Sequence, residues 1–241
     1  MLEGVDFYAA SGELVSIIGP SGCGKSTLLN TIAGLEEPDA GSVELDGALV
    51  ARRRLGLVGY MQQKDLLMPW RTVLDNVVLG LEVQGVSRRD ARKRALKLLE
   101  TFGLRGFEKE YPYTLSGGMR QRAAFLRTVL FSRDVMLLDE PFGAMDALTR
   151  AQMQEWLTEL WGSLGKTIVL VTHDVDEALL LSDRVYVLTA RPGRVKTVVE
   201  VDLPRPRYYR MVTEEPFIAI KAGLVAALRE ESLRVVEESW R

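Results

Sequence analysis

Apolar residues along the chain follow two periods. A run at 14–18 that stops at Gly19 predicts a strand, and the apolar runs at 135–138 and 168–171, bounded by polar residues, predict strands buried on both faces, as in a parallel sheet. Runs at 42–45 and 55–60, marked off by Gly41, Gly47 and Gly56, predict further strands. Residues 184–188 and 195–201 predict two strands flanking the turn Arg191-Pro192-Gly193-Arg194. Between the strands the spacing lengthens to that of a helix. Residues 26–35 predict a helix ended by Gly34 and Pro38. Residues 146–164 predict another, with Met153, Trp156, Leu157, Leu160, Trp161 and Leu164 on its core face. Asp174 followed by Glu177 predicts a capping box on the next helix. Residues 64–132 are mostly helical in spacing, an insertion into an α/β core, and 217–240 read as a closing helix.

Composition narrows the classes. The 241 residues are 47% hydrophobic and 27% charged, an ordinary globular balance that argues against disorder. The net charge of −2 gives no basis for nucleic-acid binding. A single cysteine excludes an internal disulfide framework and a cysteine zinc site. No apolar run approaches the roughly 18–20 residues that cross a bilayer. The opening MLEGVDFYAASGE lacks the basic start of a signal peptide. The basic residues Arg88, Arg89, Arg92, Lys93, Arg94 and Lys97 read as a solvated helix face, with docking to an acidic partner as the alternative.

Three strings carry candidate chemistry. Gly19-Pro20-Ser21-Gly22-Cys23-Gly24-Lys25-Ser26 fits G-x-x-x-x-G-K-[ST], with Thr27 following, after an apolar strand and ahead of a helix. Glycines let backbone N–H groups approach phosphate oxygens, and a helix N-terminus adds partial positive charge. Lys25 then bridges the terminal phosphates, Ser26 offers a hydroxyl to Mg²⁺, and Thr27 is in reach of the α-phosphate. The run Val135-Met136-Leu137-Leu138 ends in Asp139 and Glu140, two carboxylates at the C-terminal end of a buried strand, where α/β sheets bind ligands. Asp139 is placed to hold Mg²⁺ and Glu140 to polarise an attacking water. Leu115-Ser116-Gly117-Gly118-Met119-Arg120-Gln121-Arg122 is a second serine-capped, glycine-bared helix start able to grip phosphate.

Placed ahead of the Asp139-Glu140 strand, that last string closely resembles the signature of ATP-binding-cassette (ABC) ATPases. The resemblance covers nearly the whole chain. It implies an α/β P-loop core with an antiparallel β-subdomain (1–63 and 133–203), an inserted helical subdomain (64–132) and a helical tail (204–241), together one domain. It implies ATP and Mg²⁺ as ligands and a head-to-tail homodimer. In that dimer Ser116, Gly117 and Gly118 of one copy, with Gln121 of the same string, close on nucleotide held by residues 19–27 of the other. Gln63 resembles the glutamine that ligates Mg²⁺ and water and senses the transporter. Gln62 stands where the family carries an aromatic residue, and the spacing to Pro69-Trp70 favours Gln63. Asp146 resembles the aspartate of the loop after the catalytic strand, and His173, the only histidine, resembles the switch histidine. The strings 67–77, 139–150, 190–194 and 202–207 are similar to the nitrate, sulfonate and taurine importer ATPases, a group similar to those serving vitamin precursors. The implied partners are permease subunits and, through them, a periplasmic or extracellular solute-binding protein. The implied location is the cytoplasmic face of the membrane, with residues 63–71 and the helical insertion as docking surface. An exporter ATPase, or a non-transport ABC protein acting as an interaction module, is the alternative. The family also carries an adenine-stacking aromatic residue upstream of the phosphate loop. Phe7 and Tyr8 read instead as strand residues, so a start placed too late, or weaker adenine binding, is expected.

Overall fold

The strand Leu14–Ile18 (β1) is buried at every position, and its neighbours cover it on both edges. The computed structural model describes residues 1–45, 47–49, 54–131 and 133–239, with the backbone alone for 48, 49, 160, 163, 164 and 235–239. After β1 come α1 (Lys25–Ala33), β2 (Glu44–Leu45), β3 (Ala48–Leu49), β4 (Gly59–Met61), α2 (Val73–Val77), α3 (Leu79–Val83), α4 (Arg88–Leu99) and α5 (Gly117–Phe131). They are followed by β5 (Val135–Asp139), α6 (Ala147–Leu164), β6 (Thr167–Val171), α7 (Val175–Leu181), β7 (Arg184–Leu188), β8 (Val195–Glu200) and α8 (Glu215–Ser239). Six strands form a sheet in the order β4-β5-β6-β1-β7-β8, parallel except for β8, which runs antiparallel to β7. The pair β2–β3 is a separate antiparallel ladder.

The period of two along each strand sorts side chains into layers. Val15, Ile17, Leu137, Val169 and Val171 pack with Leu29 and Ile32 of α1. Leu14, Met136, Leu138, Ile168 and Leu170 pack on the other face with α2, α4, α5 and α6. A third cluster joins Ile18, Val185 and Val187 to α7 and to Phe217 and Leu224 of α8. The helical layer is bound to the sheet by an aromatic group: Phe125 stands edge-on to Phe102, Phe142 and Trp156 with centroids 5.7, 5.7 and 5.8 Å away. Phe142 lies two residues beyond Glu140, so this packing supports the strand end that carries both acids.

Several boundaries differ from the sequence expectation. The 55–60 run yields only Gly59–Met61 as strand. Leu55 and Leu57 are 66% and 45% exposed on a turn closed by Leu57 N–H to Arg54 O, so their apolar character does not report burial. The 42–45 run shortens to Glu44–Leu45, and α1 ends at Ala33 because Gly34, at φ 79°, turns the chain out of the helix. Phe7 and Tyr8 join no strand; Phe7 packs on Tyr186 and Tyr8 lies under the Arg184 guanidinium. Met153 and Leu157 of the α6 stripe are buried and Trp156 and Trp161 pack against the same core, while the Leu160 and Leu164 side chains lie outside the described residues. Among the described residues, no helix is long and apolar enough to cross a membrane.

Phe125→Ala should lower stability by about 3–5 kcal/mol, the usual cost of emptying a buried aromatic site. A fall in the urea midpoint checks this, and a midpoint shift near zero would contradict the packing role.

Candidate functional site

Four parallel strands end on the same side of the sheet, and each delivers a candidate residue there: β1 leads to the 19–26 loop, β4 to Gln63, β5 to Asp139 and Glu140, and β6 to His173. The 19–26 loop turns into α1 at Gly24, whose φ of 109° a side chain would oppose. No side chain at Gly24 caps the first N–H groups of α1, and Leu2 packs directly against that residue. Lys25 folds back across the loop and donates to Gly19 O at 2.8 Å and Pro20 O at 2.9 Å. Ser21 and Ser26 are exposed, Cys23 is buried, and Thr27 Oγ1 donates to Met1 Sδ at 3.0 Å. The 191–194 turn braces the loop from outside. Arg191 Nε donates to Gly22 O at 3.1 Å, and Gly193 lies so close that a Cβ there would clash with Cys23 O.

The acids at the end of β5 sit in different surroundings. Asp139 is buried; desolvation raises its carboxyl, and the Ser26 hydroxyl that hydrogen-bonds it pulls the other way. Glu140 is half-buried at φ 49°, a left-handed conformation that costs a non-glycine residue roughly 1–3 kcal/mol. Its carboxylate is bracketed: Gln63 Nε2 donates to Oε2 at 3.2 Å, and His173 Nδ1 lies 3.4 Å from Oε1. Gln63, Glu140 and His173 line an open cleft of about 550 Å³ with Gly117, Gln121 and Ala144. Gln62 points elsewhere, into a groove with Leu35, Leu55, Tyr60, Val83 and Phe131.

The second glycine-bared helix start is α5. Ser116 Oγ accepts from Met119 N–H at 3.2 Å, and Ser116 and Gly117 are exposed. Asp146 is exposed and caps α6, accepting from Thr149 N–H at 3.0 Å; that backbone bond holds its carboxyl below the usual range. Among the described residues, no hydrogen bond or ion pair joins Ser116, Gly117, Gly118 or Asp146 to the 19–27 loop. Gln121, grouped with them in the sequence, is buried and bonded to the backbone of Glu140 and Ala144.

Sequence reasoning missed what lies behind His173. Only half of a capping box forms: Asp174 Oδ1 accepts from Asp176 and Glu177 N–H, but Asp174 N–H turns to Thr172 Oγ1. Glu177 instead points inward, where Gln154 Nε2 donates to it at 3.2 Å. Burial, reinforced by Asp174, pushes its carboxyl up to about 8. Arg150, one turn into α6, donates to Met145 O and lies 3.8 Å from Asp174. Charged residues facing the core from exposed-looking helices carry no periodic signal, so the sequence gives them no mark.

A glycine-rich turn opening a helix, a paired-acid strand and a second glycine-bared helix start now stand on one frame. The model of the ABC transporter family matches residues 2–143. The chain belongs to the ABC transporter family, as an ABC ATPase domain. Its relatives include the formylaminopyrimidine import ATP-binding protein of Halalkalibacterium halodurans, 44% identical over 97% of this chain and 92% of that protein. They also include the taurine import ATP-binding protein of Rhizobium johnstonii, 43% identical over 99% of this chain and 89% of that protein. Among solved structures, a dimeric ATP-binding cassette bound to ADP and inorganic phosphate in a post-hydrolysis state superposes with a TM-score of 0.77. It is 33% identical over 84% of this chain and 91% of that one. The phosphate loop and the β5 acids of this ABC ATPase both fall within the matched family span.

Between about pH 4.5 and about pH 8 the folded ABC domain holds a proton on Glu177 that the unfolded chain has released. Stability from this group is therefore full at low pH and lost as pH rises through that window. Glu177→Gln should flatten the pH dependence of the melting temperature over the window; parallel curves for the two proteins would contradict the buried, protonated carboxyl.

Proposed function

We propose that the chain is the ATP-hydrolysing subunit of an ABC importer for a small solute of the nitrate, sulfonate and taurine kind or a vitamin precursor. The observation that carries the hydrolytic assignment is the Glu140 carboxylate held between Gln63 and His173 at the end of β5. In this reading the N–H groups where the 19–26 loop enters α1 and the Lys25 ammonium bind the phosphates. Ser26, Asp139 and the Gln63 carbonyl are all oxygen donors, the set that suits Mg²⁺, and these residues would hold it. When bound there, the ion would supply positive charge against the phosphates. Glu140 accepts the proton of the attacking water, and Gln63 and His173 keep its carboxylate aimed. Ser116, Gly117 and Gly118 serve the nucleotide of a second copy. Their exposed helix tip, unpaired among the described residues with the phosphate loop of its own chain, supports a head-to-tail dimer, and a dimeric cassette is among the solved structures this chain resembles. Asp146, on the loop beside that tip, faces the same partner. The chain is read as one domain, 1–63 and 133–203 forming the core, 64–132 the helical insertion and 204–241 the tail.

The importer assignment is supported by the relatives, which are named for formylaminopyrimidine and taurine import. The groove of about 320 Å³ that takes Gln62 suits an apolar helix of a permease at the cytoplasmic membrane face, and the permease in turn meets a solute-binding protein. Gln62 in the groove and Gln63 on Glu140 are adjacent residues, a short path from docking to catalysis. Trp70, 73% exposed, lies in the 63–71 segment read as docking surface.

Glu140→Gln should bind ATP, hydrolyse it about 10²–10⁴-fold more slowly, and accumulate an ATP-dependent dimer. Lys25→Ala should lose nucleotide affinity itself. Unchanged turnover in Glu140→Gln refutes the assignment of the base. Capture of the permease should fall when Trp70 and Val83 are both changed to Asp, and undiminished capture would remove this face from the docking surface.

A further inference from the structure

Gln121 lies one helical turn below Gly117 on α5, and only 6% of it is exposed. Both ends of its carboxamide are used on one short turn of backbone. Nε2 donates to Glu140 O at 2.7 Å, and Oε1 accepts from Ala144 N–H at 2.7 Å. Glu140 O accepts a second bond from Gly143 N–H at 3.2 Å, and Glu140 N–H donates to Val171 O at 2.8 Å. The backbone of Glu140, strained at φ 49°, is thus held by β6 on one side and by α5 on the other. Glutamine is suited to this place because one planar group supplies a donor and an acceptor together.

The same helix also holds the segment that follows Gln63. Arg120 Nε donates to Asp65 Oδ2 at 3.1 Å, and Arg127 donates to Asp65 O at 2.8 Å and Leu66 O at 2.9 Å. At the tip of α5 the fit to the 140–146 loop is close: a Cβ on Gly118 would lie 3.1 Å from Ala144 O. A shift of α5 therefore moves Glu140 O and Ala144 N–H with it. Parting from either would leave a buried polar group unpaired, which is costly.

We infer that Gln121 is a positioning residue that couples the two nucleotide sites of the dimer: it fastens the helix whose tip grips the partner copy's ATP to the backbone of the base that acts on this copy's own ATP. The inference rests on the ATPase reading above and adds to it a route by which closure at one site prepares the other. Gln121 itself touches no nucleotide in this scheme.

The test compares the full-length wild type, Glu140→Gln, Gln121→Met and Gln121→Glu. Steady-state hydrolysis, ATP affinity by calorimetry, and melting temperature are measured for each. Methionine keeps the volume of glutamine but neither bond; glutamate, when ionised, keeps the acceptor for Ala144 and loses the donor to Glu140. Folded Gln121→Met should bind ATP within about twofold of wild type, lose roughly 10–100-fold in kcat, and show a Hill coefficient for ATP that falls toward unity. Gln121→Glu should show the same split, and it decides the matter if Gln121→Met does not fold. Wild-type kcat and Hill coefficient in either folded variant overturn the coupling. So does a loss of kcat matched by equal losses of affinity and melting temperature, the mark of a merely structural residue. If the wild type hydrolyses ATP and Glu140→Gln does not, a negative result at Gln121 leaves the ATPase reading standing. A wild type without hydrolysis removes both.

Discussion

Glu140 leaves β5 in a backbone conformation that a side chain adopts only under restraint, and the molecule supplies that restraint from three directions. Its N–H is tied to Val171 of β6 and its carbonyl to Gln121 of α5 and Gly143 of its own loop. Its carboxylate meets Gln63 after β4 and His173 after β6. A carboxylate on a relaxed strand end would swing with its loop. Here the position of the acid is a consequence of four separate elements, so the geometry of the site and the packing of the core cannot be varied independently.

The order of the sheet explains how those elements converge. With β4, β5, β6 and β1 adjacent and parallel, their C-terminal ends open onto one edge, and the loops there need only a few residues to meet. Strands buried on both faces give these ends a fixed spacing, while the aromatic group around Phe125 joins the helical layer to the same strand that carries Asp139 and Glu140. The helical layer is therefore a mechanical extension of the site. Its far surface takes the apolar groove containing Gln62, its near end presents the Ser116 tip, and packed, hydrogen-bonded structure joins both to Glu140.

How far the sequence reveals this depends on whether the decisive physics is local. The phosphate loop is readable because glycine backbone freedom, the lysine and the helix start lie within eight residues. The strands 135–138 and 168–171 are readable because burial on both faces leaves an unbroken apolar run, and 14–18 is interrupted only by Ser16, buried like its neighbours. The 55–60 run misleads for the complementary reason: Leu55 and Leu57 are apolar yet exposed, Leu55 at the edge of a groove. Gln121 and Glu177 are not readable in their observed roles at all. Each is defined by a partner far along the chain, the Glu140 carbonyl for one and Gln154 for the other. A polar residue on a helix gives no sign of facing inward until tertiary contacts place it there.

The most direct measurement is a crystal structure of the Glu140→Gln protein grown with ATP and Mg²⁺. A dimer is expected in which the N–H groups at Ser116, Gly117 and Gly118 of each copy face the phosphates held by residues 19–27 of the other. ATP bound by those residues with the Ser116 tip open to solvent in every assembly would contradict the proposed clamp.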